Sequence, residues 1–185
     1  MSMLKRTLAP LAAAALLSAC GSMTMPGPMS MSAPDNASLP EPVRVPTGQK
    51  MRMAATGVGE ITYECREKAN AAGSYEWAFV APVATLYAGD KRTVGKYYGG
   101  PTWESSDGSK ITGKQVAVSP AAAGNIPMQL VKTDPAMGAG AMNGVTYIQR
   151  VNTKGGVAPS AACDANAKGA RRQVAYQADY VFYGS

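Results

Sequence analysis

The chain has 185 residues, with 18 Lys and Arg against 12 Asp and Glu and a formal net charge of +6. These charges are scattered and form no dense basic run, which argues against a nucleic-acid-binding protein. The sequence contains no histidine, and this excludes Ser-His-Asp and Cys-His catalysis together with the ordinary zinc and blue-copper ligand sets. We therefore expect a protein that is not an enzyme and that has no cofactor.

Residues 1–19 have the pattern of a bacterial lipoprotein signal peptide. Lys5 and Arg6 precede an apolar run over residues 8–17, and Ser-Ala stands directly before Cys20. The run is shorter than the about 20 apolar residues that span a bilayer, whereas a charged start, a short apolar run and small residues before a cleavage site are typical of an exported protein. We predict cleavage before Cys20 and acylation of Cys20, including palmitate, which would give a stable lipid anchor.

The segment 20–46 is predicted to be a tether. It is rich in Met, Pro and Ser, and its prolines interrupt both helix and strand, so we expect a semi-extended stalk that holds the domain away from the bilayer. The residue after Cys20 is Gly21. It is not the Asp that retains lipoproteins in the inner membrane of enteric bacteria. This favours the outer membrane, facing the periplasm.

Closely spaced methionines give a metal-binding alternative, because soft thioethers favour Cu(I). The tether carries four methionines in two Met-x-Met pairs: Met23, Met25, Met29 and Met31. A third pair, Met51 and Met53, is predicted to share one strand face, where core packing is the ordinary explanation. Methionines in a Ser/Pro tether are also tolerated without any metal.

Cys65 and Cys163 are the two cysteines that remain once Cys20 is lipidated. An even pair in an exported protein is expected to form a disulfide. Two buried free thiols or a redox pair are the alternatives, and the sequence has no C-x-x-C spacing that would support the redox pair.

Residues 47–185 are predicted to form one all-β domain, an antiparallel sandwich or small barrel of about eight strands. Short alternating runs separated by Gly, Asn, Asp and Pro replace any sustained helical period. In the clearest run, Ile61, Tyr63 and Cys65 share one face. The predicted strands cover residues 51–56, 59–66, 75–81, 84–88, 110–118, 128–133, 145–152 and 172–183.

Turn-forming residues place hairpins at 88–90, 106–109 and 142–144, where Gly, Asn or Asp accept a positive φ. The segment 119–124 begins with Ser-Pro and ends with Gly, which is typical of one short helical turn.

Several spaced motifs resemble those of the domain-of-unknown-function family 3455, which is found in secreted proteins. The most specific is the block Gly100-Pro101-Thr102-Trp103-Glu104 with Asp107-Gly108-Ser109 after it, and a second motif begins Ile148-x-Arg150. The resemblance covers about residues 45–184. It implies a secreted β-rich domain with no established activity.

The same block contains the candidate binding residues. Tyr97, Tyr98 and Trp103 surround a Gly-Gly-Pro turn and could stack on a glycan such as peptidoglycan, or else Trp103 and one tyrosine fill the end of the barrel. Glu104 and Asp107 flank Trp103 and could act as a carboxylate pair. The simpler interpretation is that Asp107 opens an Asp-Gly turn and that Glu104 pairs with a lysine.

These observations predict a non-catalytic envelope lipoprotein with a binding or structural role. Its expected partners, besides the membrane, are an envelope glycan or a periplasmic protein. Docking of a protein, as in a lysozyme inhibitor, is an alternative that rests on architectural analogy alone.

Overall fold

Eight antiparallel strands close into one barrel in the computed structural model of the protein, which describes residues 34–185. Each strand pairs with its neighbours in sequence, and the last strand returns to pair with the first. The strands are β1 (Lys50–Lys68), β2 (Ala71–Tyr87), β3 (Thr93–Tyr98), β4 (Thr102–Ser105), β5 (Lys110–Ser119), β6 (Met128–Thr133), β7 (Tyr147–Gly155) and β8 (Arg171–Gly184). Three short 3-10 turns cover Asn36–Ser38, Glu41–Val43 and Ala165–Ala167. The predicted all-β class with eight strands is confirmed, and its form is a barrel.

Alternation along the strands sends one set of side chains into the barrel. Along β8 the inward set contains Tyr176, Ala178, Tyr180 and Phe182, all at most 4% exposed, as their period of two predicts. Gly57 on β1 leaves the space that Tyr180 fills, because a Cβ atom there would lie 2.6 Å from the Tyr180 ring. The interior is therefore packed with aromatic side chains over part of its length.

The two longest strands each combine two of the predicted ones. Predicted strands 51–56 and 59–66 form β1, and 75–81 and 84–88 form β2. Gly57 and Gly59 lie inside β1 and do not end a strand, because the packing around them leaves no space for a side chain. Pro82 is tolerated in β2 because pairing with β3 begins only at Val83. The short strands β3 and β4 were not predicted.

The helical turn predicted at 119–124 is wrong. Ser119 ends β5, and the chain then reverses through a turn in which the Asn125 N–H donates to the Ala122 carbonyl at 3.1 Å. Asn125 then forms an isolated β-bridge with Gly156, before β6 begins at Met128.

A strap over residues 36–45 covers the outer face of the barrel. Leu39, Val43 and Val45 are at most 8% exposed and pack against outward side chains of β6 to β8, among them Val181. Gln149, fully buried on β7, fixes the strap because its Nε2 donates to the Val43 carbonyl at 2.6 Å. The prediction of a stalk up to residue 46 is therefore wrong for these residues: their apolar side chains are buried on the domain.

The barrel has two ends with different connections. The first end carries the turns at 88–92 and 106–109 and the loop 134–146; the second carries the connections 99–101, 120–127 and 156–170 and the β1–β2 hairpin. The predicted Cys65–Cys163 disulfide is present and joins β1 to the 156–170 connection at the second end. Nearby, the Trp77 indole N–H donates to the Ala161 carbonyl at 2.8 Å. Within residues 34–185 no helix is long and apolar enough to cross a membrane.

Candidate binding site at the second end of the barrel

The predicted aromatic platform is not a surface. Trp103 is 1% exposed and Tyr97 5% exposed, and the two rings stack inside the barrel with centroids 4.8 Å apart. Tyr98 follows Tyr97 on a strand and so lies on the opposite, outer face. The interpretation of these three rings as a shared stacking platform is wrong, and the rival interpretation of Trp103 and one tyrosine as core residues is correct.

Glu104 belongs to an ion-pair network on the outer wall. Its Oε1 lies 3.3 Å from Lys96 Nζ, and its Oε2 lies 3.2 Å from Lys110 Nζ and accepts a hydrogen bond from the Tyr98 hydroxyl at 2.8 Å. That hydrogen bond from Tyr98 is the main cause that holds the pKa of Glu104 below its usual value, and the two lysines add to it. Glu104 therefore pairs with lysines, as the simpler interpretation predicts.

Asp107 closes the first end of the barrel. Its Oδ1 accepts from the Ser109 hydroxyl at 2.6 Å and from the Ser109 N–H at 2.9 Å, and its Oδ2 accepts from the Ala141 N–H at 2.7 Å. The Ser109 hydroxyl bond is the largest cause that holds the pKa of Asp107 well below its usual range, followed by the bond from Ala141. These bonds fix the loop 134–146, whose Met142 side chain is 2% exposed. Asp107 thus stabilises its own turn and also holds the loop 134–146 in place, and we call its bonds to Ser109 and Ala141 the latch.

A cavity of about 400 Å³ lies under this latched loop at the first end. Its wall is mainly apolar and includes Met53, Leu86, Val94, Met142 and Phe182. The only charged residues in the wall are Arg92 and Asp107, and the carboxylate of Asp107 already has the partners described above.

A second cavity, of about 410 Å³, opens at the second end and has a different wall. It combines a cation, two amides, two aromatic rings and two prolines: Arg150, Gln115, Gln129, Tyr97, Phe79, Pro82 and Pro101. Arg150 follows the buried Ile148 by two residues on β7, so both side chains leave the strand on its inner face. Its Nε and Nη2 donate to the Pro127 carbonyl at 3.2 and 2.9 Å. Within residues 34–185 no carboxylate lies within ion-pair distance of this guanidinium.

Four neutral tyrosines lie within electrostatic reach of Arg150. Burial raises the pKa of Tyr63, Tyr97 and Tyr180, and it raises the pKa of Tyr176 to about 12, while the positive charge of Arg150 acts in the opposite direction on all four. The Tyr63 hydroxyl donates to the Gly156 carbonyl at 2.7 Å, and the Tyr176 and Tyr180 hydroxyls lie 3.2 Å apart. Since these hydroxyls remain protonated at neutral pH, the inner wall carries a net positive charge.

The amides and the second ring complete the wall. The Gln129 Nε2 donates to the Gln115 Oε1 at 2.6 Å, joining β5 and β6 across the cavity wall. Phe79 is 56% exposed, and its ring meets Tyr63 edge to face, with centroids 6.2 Å apart. Charge, amide hydrogen-bonding groups and an accessible aromatic ring thus meet in one cavity.

Comparison with known families identifies the domain. A family model described as a protein of unknown function (DUF3455) matches residues 46–184. The chain belongs to the DUF3455 family. Neither the curated proteins nor the solved structures contain a match to it.

Two metal hypotheses have different outcomes in this DUF3455 protein. Met51 pairs with Tyr183 and Met53 with Phe182, so Arg52 is an extra residue in a β-bulge and the two methionines point to opposite faces of β1. The prediction that they share a face is wrong. Met23, Met25, Met29, Met31 and the predicted lipidation site Cys20 lie outside the described residues. Within residues 34–185 no group of three or more His, Cys, Asp or Glu residues could hold a metal ion.

The sequence did not identify the residues that line the second-end cavity of the DUF3455 domain as binding residues, apart from Tyr97. Arg150 carried a usable signal, since it occupies the inward position of an alternating strand whose other inward residue is Ile148. A charge at a core position of a strand marks either an ion pair or a site. Gln115 gave no such signal, because a bulge at Val116 changes which residues of β5 face inward.

Proposed function

We propose that the protein is a non-catalytic, lipid-anchored envelope protein whose barrel binds a small anionic ligand at its second end. The observation that carries this proposal is the position of Arg150 in the wall of an open cavity without a carboxylate partner in the described residues. A partly buried cation stabilises a structure best when an anion pairs with it. Nε and one N–H of Nη2 already donate to the Pro127 carbonyl, so a bound carboxylate or phosphate would supply that partner through two parallel bonds from the remaining N–H groups of Nη1 and Nη2.

The dimensions of the barrel support a binding role. Eight-stranded barrels have an interior that side chains fill or that holds one small ligand. Here the stack of Tyr97, Trp103 and Tyr180 fills the middle, and the space beyond it opens at the second end. A cavity of about 410 Å³ falls within the range of about 300–1,000 Å³ that is usual for small-molecule sites.

A non-catalytic role agrees with the chemistry of the chain. The sequence has no histidine, and Cys65 and Cys163 are bonded to each other. The oxygens of Glu104 and Asp107, the carboxylate pair considered for acid–base work, are all occupied by protein partners.

Calorimetric titration with propionate and with inorganic phosphate tests the anion site. We expect Arg150→Gln to weaken binding of the better probe by about tenfold or more, which corresponds to one charged hydrogen bond of about 1.4 kcal/mol or more. Arg150→Lys should retain part of the affinity, since it keeps the charge and loses the planar fork. The matched control is Arg92→Gln at the first end, which should bind like the parent. Equal affinity of the parent and Arg150→Gln would refute the proposal.

The lipid anchor has its own test. Cells fed radiolabelled palmitate should label the full-length protein, and Cys20→Ser should abolish the label while Cys65→Ser leaves it. Labelling that survives Cys20→Ser would contradict the anchor.

A further inference from the structure

We infer that the anion taken at the second end is a carboxylated sugar, a pyranose ring that bears a carboxylate. This inference rests on the proposed function and names its ligand class. It is drawn from the groups that share the cavity with Arg150: an amide pair, an exposed aromatic ring and a tyrosine hydroxyl.

The amide pair offers more hydrogen-bonding groups than the protein uses. Only one N–H of Gln129 and one lone pair of Gln115 are used in their mutual bond at 2.6 Å. Each amide therefore keeps at least one N–H donor and one carbonyl lone pair. Two planar amides fixed to each other on neighbouring strands can both donate to and accept from vicinal hydroxyl groups. A ligand with a row of hydroxyls would satisfy them, and a plain hydrocarbon would leave them unpaired at a cost in binding.

Phe79 supplies the apolar contact that a sugar ring requires. More than half of its surface is accessible, and the edge-to-face contact with Tyr63 supports it from one side. Pro101 lines the same cavity. The C–H face of a pyranose buries well against such rings, while its hydroxyl edge remains free for the amides.

Tyr97 adds a donor at the inner end of the cavity. Its hydroxyl has no hydrogen-bond partner within residues 34–185, although its ring is held tightly by Trp103 and Tyr180. Burial keeps the pKa of Tyr97 above its ordinary value, so the hydroxyl stays protonated and able to donate. It lines the same cavity as the guanidinium, where a second donor to a carboxylate or a ring oxygen is useful.

The first-end cavity provides an internal comparison. It has nearly the same volume, about 400 Å³, yet its wall of Met, Leu, Val and Phe side chains suits an apolar ligand. An apolar anion such as a fatty acid would match that wall better than the amide-bearing one. The contrast between the two cavities favours a hydroxyl-rich ligand at the second end.

The test compares four probes by calorimetric titration of the full chain: D-glucuronate, N-acetylmuramate, D-glucose and hexanoate. Glucuronate carries its carboxylate on the ring, as in uronate polymers, and N-acetylmuramate carries it on a lactyl ether, as in peptidoglycan, so the two distinguish the sources of the ligand. We expect at least one of these acids to bind about tenfold or more tightly than both glucose and hexanoate, because one good charged hydrogen bond separates it from glucose.

Substitutions then assign the roles of the side chains. Phe79→Ala and Gln115→Leu should each weaken the preferred sugar acid about fivefold or more and leave hexanoate unchanged, since each removes a contact of about 1 kcal/mol with the ring or its hydroxyls. The matched controls are Val83→Ala, an exposed apolar residue on β2, and Lys114→Leu, an exposed polar residue on β5. Both should bind like the parent.

Two outcomes would overturn the inference, and they have different meanings. If hexanoate and propionate bind as tightly as the sugar acids, and Arg150→Gln weakens all of them, the anion site stands and the sugar class is wrong. If none of the four probes and neither propionate nor phosphate binds, the proposed function fails together with the inference.

Discussion

Loss of the Cys65–Cys163 disulfide is expected to remove a large part of the stability of the barrel. The perturbation is the double substitution Cys65→Ala with Cys163→Ala. The bond joins residues that are 98 positions apart in sequence. A cross-link that closes a loop of this length lowers the entropy of the unfolded chain by an amount worth about 4.7 kcal/mol at 25 °C.

This free energy converts into a shift of the melting temperature. For a region of the size of residues 34–185, unfolding near 60 °C has an entropy of about 0.3 kcal/mol/K. A loss of about 4.7 kcal/mol therefore lowers Tm by about 15 °C. Cys65 is fully buried, so any gap left by alanine would act in the same direction.

Circular dichroism during heating and during guanidinium unfolding measures both quantities. Cys20→Ser serves as the parent background, so that only one thiol pair can respond to reductant. We expect reductant to lower Tm of this parent to near the value of the double variant, with any gap left by alanine accounting for the difference, and to leave the double variant unchanged. A shift below about 3 °C, which is about 1 kcal/mol for a domain of this size, would refute the loop-entropy reasoning, because the ends of the loop would then already be held together in the unfolded chain.

Four further predictions concern the latch, the strap and the core. Asp107→Ala should loosen the loop 134–146. Because the pKa of Asp107 in the folded protein is well below its unfolded value of 3.8, its contribution to the free energy of unfolding is present above pH 3.8 and is lost as the pH falls through the folded value. Guanidinium unfolding between neutral and acidic pH measures this loss. Gln149→Leu should cost about 1–3 kcal/mol in urea unfolding, because the Val43 carbonyl and the Tyr183 hydroxyl lose their partner. Met142→Ala should cost about 2–5 kcal/mol, since the side chain is buried. Burial raises the pKa of Tyr176 from 10.0 to about 12, so its contribution to the free energy of unfolding is present below pH 10.0 and is lost as the pH rises towards about 12. Alkaline unfolding followed by phenolate absorbance detects this loss.

The first three of these predictions each have a matched control, and all four have a contradicting result. Asp90→Ala removes an exposed carboxylate from another turn and should keep the loss of stability at acidic pH. If Asp107→Ala keeps that loss as well, the role assigned to Asp107 is wrong. Gln173→Leu, at an exposed position on β8, is the control for Gln149→Leu. Met137→Ala, at an exposed position in the loop 134–146, is the control for Met142→Ala. Both controls should leave the free energy of unfolding nearly unchanged. Equal stability of a buried variant and its exposed counterpart would contradict the packing described. Phenolate absorbance that rises fully near pH 10.0, before unfolding, would contradict burial of the tyrosines.

The strand content and the inward faces follow from local alternation, which is why the sequence predicts them. The period of two in β8 identifies Tyr176, Ala178, Tyr180 and Phe182 as one face. The disulfide follows from counting cysteines in a chain that the sequence predicts to be exported. Alternation fails where the structure inserts an extra residue, because the bulge at Arg52 places Met51 and Met53 on opposite faces of β1. The strap is a separate case: Val43 and Val45 are buried in a segment whose prolines suggest a stalk.

The candidate site was less accessible to sequence reasoning, because closure of the barrel creates it. Trp103 and Tyr97 attract attention as aromatic residues beside a Gly-Gly-Pro turn, yet alternation in β3 and β4 directs both rings into the core. Arg150 and Gln129 lie on strands β7 and β6, and Gln115 lies on β5. Only the order of strands around the barrel shows that these side chains meet Phe79 of β2 at one cavity.

The most direct test of the central claim is to map where an anion binds. Amide chemical shifts of the isotope-labelled protein are followed during titration with D-glucuronate, with glucose as the neutral reference. The site at the second end predicts that the largest shifts occur at Tyr97, Gln115, Gln129 and Arg150, and that Asp107 and Met142 at the first end stay constant. Shifts confined to the first end or to the outer wall around Glu104, or equal shifts with glucose, would contradict the assignment of an anion site to Arg150.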